Sequence, residues 1–95
     1  MLSKIPIDIG KLKGEDLNRE ILRAAIIGEL DAINLYEEFA NMTDDQDIQI
    51  VLRDIAQEEK THVGELQTLL LRVDEEQAIE LEKGKKEVEE LTRKK

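Results

Sequence analysis

Residues 48–73, IQIVLRDIAQEEKTHVGELQTLLLRV, decide how this chain folds. Their apolar side chains fall at Ile48, Leu52, Ile55, Leu66, Leu69 and Val73, and Glu59 and His62 stand where the pattern calls for two more. The steps alternate between four and three residues. That is heptad spacing, so the segment reads as a helix with one stripe turned toward a partner. A carboxylate in such a stripe is costly unless a cation or a full set of hydrogen bonds compensates its charge. His62 is the only histidine of the chain, and it follows Glu59 by three residues.

The preceding half repeats the pattern at Leu22, Ile26, Glu29, Ile33, Tyr36 and Ala40, with Glu29 embedded in it. Glu15 and Asp16 suit the positive end of a helix, and the spacing predicts a first helix over 15–42. Thr43-Asp44-Asp45-Gln46 fits a capping box with Thr43 as N-cap, which predicts a second helix over 44–72. Asp74-Glu75-Glu76-Gln77 repeats the signal for a third helix over 74–92. Its stripe is thinner (Gln77, Leu81, Gly84, Val88, Leu91), and Gly84 weakens its middle. Residues 1–14 hold Pro6, Gly10 and Gly14 with alternating Ile5, Ile7 and Ile9, and read as an extended arm that docks on a groove.

The connection between the first two helices is short, so they fold back as an antiparallel hairpin. Glu29 lies 14 residues before Thr43, and Glu59 lies 14 residues after Asp45. At about 1.5 Å per residue both stand roughly 21 Å from the turn. Carboxylates of two helices therefore meet at one level.

Composition narrows the alternatives. With 95 residues there is room for a single domain over 1–95, and a hairpin this short completes its core by self-association. Charged residues make up 39% of the chain and aromatic residues 2%, the profile of long helices rather than sheet, so the fold class is all-α. A net charge of −9 offers no basic stripe for nucleic acid. The chain has no cysteine, which removes iron–sulfur clusters, thiolate-bound haem and disulfides. Neither a signal peptide nor a membrane span is visible, so the expectation is a cytoplasmic protein.

One hairpin offers Glu29, Glu59 and His62 as metal ligands, too few histidines for a two-His-one-carboxylate or zinc-protease site. Two hairpins related by a two-fold axis offer four Glu and two His. That is the four-helix di-iron set, one Glu from each of two helices and a Glu-x-x-His from each of the others. Four carboxylates carry −4 and two ferrous ions +4, so the metal-loaded seam is neutral. The competing reading makes the three residues hydrogen-bonded polars that only specify register, as a buried Asn does in coiled coils. Tyr36 stands two turns, about 10 Å, from Glu29 and reads first as a filler of the stripe. Asp31 points off the stripe with Asn34 and Glu38, toward a solvated face, and Glu58 and Glu65 read as flanking residues.

The stretches AIIGELDAINLY (25–36) and IAQEEKTHVGE (55–65) resemble the encapsulated ferritin family, a ferritin-like branch related to rubrerythrins; the likeness covers roughly residues 17–91. The resemblance implies a two-helix hairpin with a short C-terminal helix that completes a four-helix bundle by dimerisation. It implies a ferroxidase that oxidises Fe²⁺ with O₂ at a di-iron centre between two protomers, with two Fe ions per dimer and catalytic and metal-binding roles for Glu29, Glu59 and His62. It also implies a metal-access carboxylate at Asp31, an aromatic beside the centre at Tyr36, an annular decamer, and an encapsulin shell as partner and compartment for iron storage. Packaged members carry a C-terminal targeting tail or continue into the shell protein, and no such tail is visible after Leu91-Thr92-Arg93-Lys94-Lys95. A rubrerythrin-like peroxidase is a rival, disfavoured by the lack of a cysteine-based electron-transfer domain. A non-catalytic helical scaffold is another. If the paired carboxylates need cations, metal binding and assembly are linked. Sedimentation should then show a larger species with Fe²⁺ than without it, and identical profiles would refute the linkage.

Overall fold

The computed structural model describes residues 14–95. They form three helices, α1 (Gly14–Met42), α2 (Gln46–Val73) and α3 (Glu75–Thr92), and no strand is found among the described residues. The arm expected over 1–14 lies outside the described residues except for Gly14, which opens α1. α1 and α2 pack along their lengths as the antiparallel hairpin, while α3 leaves it at the far end. The described fold measures 45 × 44 × 18 Å, thin in one direction rather than a ball.

The turn differs from its expected chemistry. Asp45, not Thr43, is the N-cap of α2: the backbone N–H groups of Asp47 and Ile48 donate to its Oδ1 at 2.9 and 3.1 Å. Thr43 acts earlier, accepting the Asp45 N–H on its hydroxyl at 3.2 Å, while Gln49 donates to the Thr43 carbonyl at 2.6 Å. Both residues are good caps. Asp45 takes the position because its carboxylate reaches two of the orphaned N–H groups at the positive helix end. α2 consequently starts at Gln46 rather than at residue 44.

The core is small. Ile33 and Ala40 of α1 and Ala56 and Leu70 of α2 are the buried apolar residues. Ala56, Val63 and Leu70 therefore mark the side of α2 turned to α1, one residue round from Ile55, His62 and Leu69. Leu52, Glu59, Leu66 and Val73 belong to both rows and are half-buried. The stripe read from the sequence thus lies at the edge of the hairpin seam rather than on its midline. Ile48 and Leu69 are 49% and 46% exposed, and Val51 beside them is 57% exposed. α2 carries an apolar face wide enough to meet two neighbours, and Ile48, Val51 and Leu69 on it are left exposed.

No residue of α3 is buried. Its start is well defined: Asp74 is the N-cap and accepts the Gln77 N–H at 3.0 Å. Cap assignment at the hairpin turn is open to direct test. Asp45→Ala should cost about 1 kcal/mol, roughly 4–8 °C in Tm for a domain of this size. Thr43→Ala should cost less, and a larger loss at Thr43 in thermal melts would reverse the assignment.

Candidate metal centre

Glu29 stands near the middle of α1, and Glu59 and His62 stand near the middle of α2. The antiparallel turn brings them level. One ligand atom of each lies within 4.8 Å of the other two. His62 Nδ1 is 3.3 Å from Glu59 Oε2 and 3.5 Å from Glu29 Oε2, so one ring nitrogen faces both carboxylates. The Glu59–His62 contact follows from the three-residue spacing, which stacks side chains on one helix face. The contact to Glu29 spans 33 residues and exists only because the turn sets the register.

Burial is graded across the three. The side chains of Glu59 and Glu29 are 19% and 25% exposed, and that of His62 is 47% exposed. Glu29 Oε2 has no accessible surface and no hydrogen bond among the described residues, despite its approach to His62. A buried, unsatisfied carboxylate oxygen costs upward of about 1–3 kcal/mol. Two carboxylates and an imidazole arranged around it form an oxygen- and nitrogen-rich donor set suited to iron, manganese or zinc. The residues present therefore fit a divalent cation. They supply at most three of its ligands, and His62 opens outward, where further ligands can reach.

The other residues singled out from the sequence fall outside this trio. Tyr36 is half-buried on α1 beyond it. Asp31 is half-buried, more covered than the solvated position expected of it, whereas Asn34 and Glu38 are exposed as expected. Glu58 and Glu65 are exposed flanking residues. Lys60, next to Glu59, reaches across to Glu37 at 3.0 Å, a surface pair that ties the helices beside the cluster. Such an exposed pair contributes little to stability.

A second polar cluster went unread in the sequence. Arg23 donates to Asp74 Oδ2 at 2.7 Å, and Arg19 donates to the Val73 carbonyl at 3.5 Å. Asp74 is buried, and its carboxyl is held below the ordinary carboxylate value, first by the hydrogen bond from the Gln77 N–H and then by Arg23 and Arg19. Desolvation opposes that shift without overcoming it. Two arginines four residues apart on one helix were the available signal. Their partner lies 51 residues away, where no local pattern reaches.

A helical hairpin that sets one Glu level with a Glu-x-x-His has the layout of half a four-helix ferritin-like bundle. Comparison with known proteins bears on the fold and the family. The family model described as Rubrerythrin matches residues 20–95. A crystal structure of the encapsulated ferritin domain from Pyrococcus furiosus superposes with a TM-score of 0.84 at 50% identity, covering 97% of this chain and 96% of that one. A ferritin-like–encapsulin shell fusion protein of the same organism is 58% identical over 73 residues, 77% of this chain and 21% of its own length. An encapsulin nanocompartment cargo protein of Myxococcus xanthus is 40% identical over 68 residues, 72% of this chain and 52% of its own. The chain thus spans about a fifth of one curated relative and about half of the other. It belongs to the rubrerythrin family, and its fold is that of a ferritin-like protein, similar to a solved encapsulated ferritin domain. Among the described residues, no helix is long and apolar enough to cross a membrane.

Divalent metal should raise Tm in differential scanning fluorimetry, because a ligand held only by the folded state stabilises it by about 2.7 kcal/mol at one hundred times its Kd. Glu29→Ala and Glu59→Ala should abolish most of that rise, whereas Glu58→Ala should keep it. A rise that survives both substitutions would place the metal elsewhere.

Proposed function

We propose that this chain is a ferroxidase whose iron site is completed by a second copy of itself. The observation that carries the reading is Glu29 Oε2, buried without a hydrogen bond between Glu59 and the outward-facing His62. Copies that meet across the uncovered face of α2, at Ile48, Val51 and Leu69, would bring four carboxylates and two imidazoles together. The same contact would cover apolar surface that a lone hairpin leaves in water.

In this reading Fe²⁺ is the substrate. Glu29 and Glu59 attract it and offset its charge in a partly dry seam, and they hold two ions close enough to react together. His62 faces both carboxylates through Nδ1, so that nitrogen would be the one to hold the ion. Each ferrous ion would give up one electron, and the two electrons with two protons from solvent would convert O₂ to hydrogen peroxide, leaving two ferric ions. Asp31, half-covered two residues after Glu29, is assigned to the path by which metal enters. Tyr36 is assigned a supporting place beside the centre.

The relatives supply the setting. One is fused to an encapsulin shell and another is an encapsulin cargo. We assign this chain the same partner, with iron storage inside the nanocompartment and a ring of dimers, an annular decamer, as the assembly.

Addition of Fe²⁺ under anaerobic conditions, followed by air, tests the reading. Wild-type protein should take up two irons per dimer and develop ferric absorbance rapidly. Glu29→Ala, Glu59→Ala and His62→Ala should each slow that step by at least about tenfold, the usual scale for losing a metal ligand or its support. Faster turnover with peroxide than with O₂ would make the protein a peroxidase instead. No uptake at all would leave a helical scaffold.

A further inference from the structure

α3 is joined to the rest of the protein through one corner. Asp74 is the sole residue between α2 and α3, and it is 8% exposed. Its two carboxylate oxygens have separate tasks. Oδ1 accepts the Gln77 N–H and caps α3, while Oδ2 accepts the guanidinium of Arg23 on α1 at 2.7 Å. Arg19, one turn earlier on α1, donates to the last carbonyl of α2 at Val73. Arg72, Glu75, Glu76 and Glu15 complete the charged lining of this corner.

Past the corner, no residue of α3 is buried against the described part of its own protomer. α3 is 18 residues long, about 27 Å. Its stripe residues Leu81, Val88 and Leu91 are 43%, 58% and 84% exposed. A helix positioned by packing would bury that stripe. What joins α3 to α1 at the corner is a charge-assisted pair in which the carboxylate is buried and the guanidinium planar and directional.

We propose that Arg23 and Asp74, aided by Arg19, form an elbow lock that holds α3 at a single angle to the hairpin. The lock acts on the direction of α3 and not on its helicity, because the cap uses the other carboxylate oxygen. It is separate from the Glu29–Glu59–His62 cluster and stands whether or not iron is oxidised there.

Two substitutions divide the tasks. Asp74→Asn keeps a capping oxygen, since Asn caps as well as Asp, but loses the charge that Arg23 holds. Arg23→Gln leaves the cap and Arg19 in place and removes the cation. The sequence contains no cysteine, so spin labels can be placed singly at Gln57→Cys on α2 and Glu90→Cys on α3, both exposed. The full chain, diluted into unlabelled protein, would be measured by pulsed dipolar spectroscopy. A single narrow distance is expected in the otherwise unmodified background. In Asp74→Asn and Arg23→Gln the distribution should widen at least about twofold as the arm samples other angles, with helical circular dichroism unchanged. An equally narrow distance in both variants would overturn the proposal, as would a broad one before any change at the corner. Loss of helical signal in Arg23→Gln would also overturn it, because the pair would then be holding the helix and not its angle.

Discussion

The structure turns on one carboxylate oxygen, Glu29 Oε2, that is buried and receives no hydrogen bond among the described residues. Glu29 projects from α1 into the seam with α2, and its Oε2 is buried beside a second carboxylate with only one imidazole nearby. An apolar residue at that position would simply extend the row from Leu22 to Ala40. Keeping a carboxylate there costs the lone hairpin stability that an apolar side chain would supply. The small core has the same origin. Two helices cannot enclose a seam, so the face that leaves apolar side chains in water also leaves the acidic cluster open to ions.

Much of this was legible because helices convert residue counts into heights. Glu29 and Glu59 are equally far from a short turn, and an antiparallel hairpin has no freedom to offset them. The three-residue step from Glu59 to His62 then places the imidazole on the same face. Three helices, their order and the hairpin followed from the four-three stepping and the cap signals at Asp74 and near Thr43. Exact caps did not follow. Thr43, Asp44 and Asp45 are all competent, and only side-chain reach shows that Asp45 holds the two free N–H groups while Thr43 holds the N–H of Asp45.

Two further features escaped for different reasons. The α2 stripe was placed one residue off the midline of the seam, because α2 is apolar over a wide arc and periodicity cannot say which part of it a neighbour covers. Ala56 and Val63 are small enough to be passed over beside Ile55 and His62, yet Ala56 is the one that α1 buries. The Arg23–Asp74 pair escaped because it joins residues 51 positions apart through a bend at a single residue. Such a bend has no length to count. The placement of α3 is set there, and no periodic signal records it.

That corner also separates two properties that are usually entangled in small proteins. None of Arg19, Arg23 and Asp74 belongs to the acidic cluster, and the cluster occupies the middle of the hairpin rather than its end. The appended helix can therefore be re-aimed by editing three charged residues without disturbing the inner carboxylates. A protein engineer wishing to change the outline of the molecule would begin at this bend and leave the middle of the hairpin alone.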